Sequence, residues 1–535
     1  MKALVVFPPG WSQNVGNPHI ALPLLKSTLE TSEVEVTVRD LNWEVAEYHC
    51  VHINQREALE AVQNGTMETM NEPYFRAEDR LMSVAKKYSG EWNLQLGFKF
   101  DKFSSSSSND IRDALPVNSP FTEFFKCVVL PSVTKGSPEL IGFSIASVYQ
   151  LIPSLHLTWL LRKAGYEGLI VFGGNTVSRL RKEIAATPWL FDLVDGFIVF
   201  QGEIPLVNLS SRFLRRDCFP SVPNLIWRDG NEVKVNAARQ YQNPNFVPTP
   251  DFGDLPVGQY WGVNYLPLVA ARGCYYGQCI FCAIPYGFGE RGFSGIRSTG
   301  MVFDDIRTLL DKHDISRFKF MDEALPPRIL RDLPEWILEA RLNIEWEAYL
   351  RLERQWLDRN FVGRVAMSGF RKGYFGLEIF PEETRRQLGK SDGAKNILRV
   401  LENCYETGIK VHLFCMFGFP GTGRKEAERT IDFILEHKDW IDSVDLNAYT
   451  YAKHTSVPGI EKIVKPDEDW ALEYEYRGLS KEIMNSREVE ELATEMEEIV
   501  WTDCPRLLHP TYRLISPWTC MTEAAKDQDV RSIAI

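Results

Sequence analysis

Leu266 to Pro285 reads LPLVAARGCYYGQCIFCAIP, and the rest of the chain is best understood outward from it. The apolar run Leu266 to Ala271 has the composition of a buried strand, and Gly273 begins a loop that holds Cys274, Cys279 and Cys282. The spacing is C-x4-C-x2-C. Three thiolates on one short loop can take three irons of a cubane cluster and leave the fourth open, and thiolate is the ligand that iron–sulfur centres select. A closed zinc site wants four ligands, and the nearest further Cys or His on either side are Cys218 and His313. Zinc, or a plain loop of reduced thiols, is the alternative. Gly277 lies in the longer cysteine gap, where a glycine can adjust the loop.

Downstream, strand-like runs alternate with helical periodicity: Leu266 to Ala271, Arg317 to Met321, Ile344 to Tyr349, Gly373 to Ile379, Lys410 to Phe417 and Ser443 to Tyr449. Upstream, Ala3 to Phe7, a helix over His19 to Glu30 and Val34 to Val38 form a β-α-β start, as in a doubly wound sheet. The pattern resumes with Leu140 to Ser144, a helix over Leu151 to Ala164, and strands Leu169 to Phe172 and Phe197 to Phe200. Between them, about 43–137 reads as a polar insertion whose serine run, Ser104 to Ser108, has the composition of a flexible loop. Residues 216–262 are proline-rich and read as a stiff linker with an Asp229-Gly230 turn. After Pro458 an acidic helix precedes an aromatic, proline-rich tail containing Tyr512 and Trp518, suited to closing the barrel's open side.

The expected organisation is α/β: a Rossmann-like domain at 1–215, the linker at 216–262, a six-strand barrel at 263–460 and a helical region at 461–535. A formal charge of −12 argues against nucleic acid as a partner. The start, MKALVVFPPG, lacks the pattern of a secretory signal, and no apolar run approaches a membrane span, so a cytoplasmic protein without a membrane partner is expected.

The cysteine loop ARGCYYGQCIFC, together with FMDEALPP from Phe320, GYFGLE from Gly373 and VHLFCMFGFPGT from Val411, resembles the radical SAM superfamily. The likeness is to the branch with an N-terminal cobalamin-binding domain, although most of the superfamily has one residue fewer in the first cysteine gap. The resemblance implies a partial (β/α)6 barrel, a [4Fe–4S] cluster on Cys274, Cys279 and Cys282, and S-adenosylmethionine. By residue, it implies that Asp322 and Glu323 accept from the S-adenosylmethionine ammonium and that Glu378 faces the ribose hydroxyls. It sets the backbone of Phe281 beside adenine. Gly418, followed by Gly421 and Gly423, would let backbone approach the same ligand. FGGNTVSRL and the turn Gln201-Gly202-Glu203 resemble cobalamin domains, with Ser144, Ser147, Gly173, Gly174 and Gly202 lining the pocket. The lower-face motif D-x-H-x-x-G is absent from the chain.

The activity implied is radical methylation of an unactivated carbon in a peptide or other natural product, with an external flavodoxin- or ferredoxin-type electron donor. A rearrangement, cyclisation or ring contraction is the second reading, and a zinc-bearing interaction protein without catalysis is the third.

Overall fold

In the computed structural model the described residues are 1–10, 17–52, 94–95, 99–100, 102–211, 216–238, 244–260, 265–289, 292–390 and 394–508. Tyr512 and Trp518 lie outside them. Two large sheets carry the fold.

The first is built from β1 (Lys2–Phe7), α1 (Ala21–Glu30), β2 (Glu35–Asp40), β3 (Leu140–Ser144), α2 (Leu151–Lys163), β4 (Leu169–Gly173), β5 (Gly196–Ile198), α3 (Glu203–Ser211), β6 (Leu225–Asp229) and β7 (Glu232–Val235). Its strand order is β2-β1-β3-β4-β5-β6-β7. The first five strands run parallel, and the last two add on antiparallel. β1 and β3 are almost wholly buried because helices cover both faces of the sheet, which is why each reads as a continuous apolar run. The order 2-1-3-4-5 is that of doubly wound folds whose ligands lie beyond the carboxyl ends, where the winding reverses between β1 and β3.

Two expectations change. The Asp229-Gly230 turn lies inside the proline-rich stretch, yet its strands β6 and β7 extend the first sheet. The serine run is ordered: Ser107 caps the helix Ser108–Ala114, and Ser108 donates its backbone N–H and its hydroxyl to Asp469 at 2.8 and 2.6 Å. A tertiary partner 361 residues away overrides the local composition. Leu115 and Thr122 of this insertion pack under α2, where buried His156 meets Thr122 Oγ1 and the Leu115 carbonyl, each at 2.8 Å.

The second sheet is entered by β8 (Leu266–Leu268). A short antiparallel hairpin follows, β9 (Ala271–Gly273) with β10 (Phe293–Ile296), and the cysteines lie between its strands. Then come α4 (Thr299–Lys312), β11 (Arg317–Phe320), α5 (Pro327–Glu339), β12 (Glu345–Leu350), α6 (Arg359–Met367), β13 (Phe370–Glu378), α7 (Ala394–Glu406), β14 (Lys410–Phe417), α8 (Arg424–Glu436) and β15 (Ser443–Ala448). The order β8-β11-β12-β13-β14-β15 is sequential and every pairing is parallel. This is an open six-stranded barrel with its helices outside. α5 shows why: Ile329, Leu330, Leu333 and Ile337 recur at helical spacing and are all buried. Helix α9 (Ser486–Asp503), N-capped by Asn485, packs on β14 and β15 at the barrel's open side.

Candidate active site

Strand alternation sends every second residue of the barrel into its lumen. Phe318, Trp346, Leu413 and Val444 face the helices, whereas Lys319, Glu347, Tyr349, Tyr374, His412 and Phe414 meet one another inside. Tyr374 donates to Glu347 at 2.8 Å, the Lys319 ammonium lies 4.0 Å from the Tyr374 ring centre, and Tyr349 stacks toward Phe414 at 6.1 Å. Burial relaxes toward the carboxyl ends. Lys319 is buried, Met321 half-buried and Glu323 exposed; Ser443 is buried, Asp445 half-buried and Asn447 exposed. The lumen is therefore a funnel with a polar, aromatic floor and a mouth at the strand ends. Desolvation lowers the Lys319 amine to about 8 against the opposing pull of Glu347, and it drives the His412 imidazole well below its usual range.

The cysteine loop lies at that mouth. Cys274, Cys279 and Cys282 are unpaired and half-buried. Gly277 takes φ +59, where a Cβ would meet only the Cys274 carbonyl oxygen at 3.7 Å, so it absorbs the longer gap in a left-handed turn. The two tyrosines of that gap are anchored: Tyr275 donates to Glu353 at 2.6 Å, Tyr276 donates to the Gly389 carbonyl, and the Arg351 guanidinium covers the Tyr276 ring at 3.3 Å. Burial raises the Cys282 thiol to about 12 and raises Cys279, with Lys390 and Arg351 pulling Cys279 back. Iron would displace those protons. Among the described residues no three Cys, His or carboxylate groups converge on a single ion. A soft three-thiol set on one loop, with two cations beside Cys279, fits an iron–sulfur cluster that takes each sulfur on a different iron.

The expected ligand carboxylates divide. Asp322 is buried and accepts the backbone N–H groups of Ala270 and Ala271, the latter at 2.6 Å, so it ties β11 to the strand leading into the cysteine loop. Glu323 is exposed just beyond the end of β11, and desolvation by the surrounding protein raises its carboxyl to about 7. Glu378 sits at φ +63 beyond a bulge in β13, and its Oε1 accepts from Lys390 at 2.7 Å. Phe281 lies with its ring 5.1 Å from Phe419. At Gly418 a Cβ would lie 2.3 Å from Val489 of α9.

At the first sheet, Ser144 ends β3, and Ser147 spends its hydroxyl capping the turn Val148–Gln150. Gly173 and Gly174 close β4, and a Cβ on Gly174 would lie 2.3 Å from the Ile145 carbonyl oxygen. Gly202 has room around it, with Leu25 nearest at 3.8 Å. Buried Gln150 donates to the Pro8 carbonyl at 2.7 Å and accepts from Ala146 and Ser147, lacing the ends of β1 and β3 together where the winding reverses. Asn175 Oδ1 and Arg179 Nε, just beyond Gly174, are buried without a partner. Such orphaned polar atoms at the expected ligand crevice fit a cofactor rich in amides and phosphate.

Sequence reasoning missed Gln150, Arg351, Glu353 and Lys390. Only Lys390 carried a signal, a lone basic residue following Gly389 soon after Glu378.

Residues 268–434 match the Radical SAM superfamily. Those residues form a radical SAM domain, and the chain is an enzyme; that domain implies a [4Fe–4S] cluster and S-adenosylmethionine as its cofactors. It is 22% identical over 362 residues to an uncharacterised methyltransferase of Pyrococcus horikoshii, covering 66% of this chain and 75% of that one. To the bacteriochlorophyllide d C-12(1)-methyltransferase of Chlorobaculum tepidum it is 28% identical over 180 residues, 32% of this chain and 38% of the other. Among solved structures, the radical S-adenosylmethionine methyltransferase TsrM of Kitasatospora setae, with cobalamin and a [4Fe–4S] cluster bound, shares the fold at a TM-score of 0.55 and 14% identity, over 92% of this chain and 84% of that chain. OxsB, a cobalamin-dependent S-adenosylmethionine radical enzyme, superposes at 0.61 and 15% identity, over 93% of this chain and 66% of its own.

Proposed function

We propose that this enzyme methylates an unactivated carbon of a peptide or other natural product, using cobalamin held at the first sheet and the cluster with S-adenosylmethionine at the second. The observation that carries the reading is the meeting of the two carboxyl ends: Gln201, beyond β5, donates to Ser294 of the cysteine-loop hairpin at 2.8 Å. A ligand in the crevice of the first sheet would thus face the mouth of the funnel. When bound, the cofactors supply one-electron reduction, hydrogen abstraction and a transferable methyl group.

The residues of the chain do the positioning. Cys274, Cys279 and Cys282 hold three corners of the cluster, and Arg351 and Lys390 offset charge beside Cys279. Glu323 accepts from the amino group of S-adenosylmethionine. Glu378, held by Lys390, offers its second oxygen toward the ribose. Tyr349, Phe414, Met321 and Met416 form a largely apolar wall for the reacting carbon, and the buried floor keeps water from below. The electron comes from a flavodoxin- or ferredoxin-type donor. No helix among the described residues is long and apolar enough to cross a membrane.

Anaerobic reconstitution with iron, sulfide and hydroxocobalamin, followed by product mass, tests the reading. A gain of one methylene unit is expected. Loss of hydrogen, or an unchanged mass, would instead establish cyclisation or rearrangement.

A further inference from the structure

The turn Phe200–Glu203 touches both halves of the molecule. Phe200 holds φ +63, a strained conformation for a residue with a side chain, and donates its N–H to Ser178 Oγ at 2.7 Å. Gln201 reaches Ser294 on β10. Glu203, whose side chain is 4% exposed, forms an ion pair with Arg272 on β9, 24% exposed. Arg181 adds a third link, its guanidinium 5.0 Å from the Phe200 ring centre and 3.7 Å from that of Tyr286, four residues past Cys282. One turn therefore grips both strands of the stem from which the cysteine loop projects.

The stem is stiff. Arg272 pairs with Gly295, and Gly273 comes so near Gly292 that a Cβ would lie 2.2 Å from its carbonyl oxygen. Only Gly273 separates Arg272 from Cys274. Arg272 therefore stands two residues from the first cysteine, across a register irregularity at Gly273, whose backbone is pressed against Gly292.

We infer that the Glu203–Arg272 ion pair is a positioning contact that registers the cysteine loop against whatever fills the crevice of the first sheet. The inference rests on the proposed cobalamin reading. It makes the pair necessary for coupling two cofactors and unnecessary for loading either.

The test uses the full-length reconstituted enzyme and three variants: Glu203→Gln, Arg272→Met and the double substitution. Amide exchange of residues 271–273 and 293–296 is followed with and without hydroxocobalamin, alongside iron content and the ratio of 5′-deoxyadenosine to methylated product. In the parent enzyme, hydroxocobalamin is expected to protect both the first sheet and the stem. Glu203→Gln should bind iron and cobalamin as the parent does, lose the stem protection, and raise the ratio by on the order of tenfold to a hundredfold, the scale of a misplacement of about 1 Å. The double variant should be no worse than the worse single variant, because both remove one interaction. Arg272→Lys keeps the charge without the planar fork and should fall between; it also serves if Glu203→Gln does not fold. Stem protection and product ratio unchanged in the variants would overturn the inference. No protection of the first sheet by hydroxocobalamin in the parent enzyme would overturn the cofactor reading, and the coupling with it.

Discussion

The two sheets present opposite kinds of carboxyl end. Beyond β3, β4 and β5 the first sheet offers small residues and backbone: Ser144, Gly173, Gly174 and Gly202, laced by Gln150. Beyond β8, β11, β12 and β13 the second offers thiols, acids and bases, with Cys274 to Cys282, Glu323, Arg351 and Glu378. The first shapes a crevice by omitting side chains; the second binds by supplying them. A ligand at the first is selected by fit, and one at the second by bonds and charge. The two ends should therefore fail differently when altered.

The largest expected effect separates them. With serine at Cys274, Cys279 and Cys282 together, bound iron and S-adenosylmethionine cleavage should fall to background while hydroxocobalamin absorbance persists. If cobalamin is lost as well, the two ends are not independent. Next is Lys390→Met, which strands the half-buried Glu378 carboxylate and should destabilise the barrel by about 3 kcal/mol in denaturant titration; adding Glu378→Gln should recover much of it. Gly174→Ala presses a methyl against Ile145 at a left-handed φ and should cost about 2 kcal/mol, weakening cobalamin binding with iron content unaltered.

Smaller still is a pH effect at the second sheet. The Glu323 carboxyl, raised to about 7, is mostly protonated below that value and charged above it. S-adenosylmethionine affinity should therefore strengthen by about tenfold from pH 6 to pH 8, and Glu323→Gln should flatten that dependence in binding titrations. Asp469→Ala removes two hydrogen bonds to Ser108 and should lower stability by about 1–2 kcal/mol, with product ratio unchanged.

The same contrast governs what could be read from the sequence. The strands were legible because parallel strands covered on both faces are continuous apolar runs, as in Ala3 to Phe7 and Leu140 to Phe143. The cysteine loop was legible because its chemistry is contiguous. Gln150 was not, since its meaning lies in Pro8, 142 residues away, and Glu203 was read only as part of a glycine turn because Arg272 is 69 residues off. Asp322 and Glu323 look alike in sequence, and only the fold turns one to backbone amides and leaves the other exposed beyond β11.

The left-handed turn at Gly277 reaches beyond this molecule. One glycine accommodates an added residue while the tyrosines beside it find docking partners on neighbouring loops, so loop length is free to drift where cluster geometry is not. A genome screen that demands a fixed interval between the first two cysteines would pass over every chain that solves the loop in this manner.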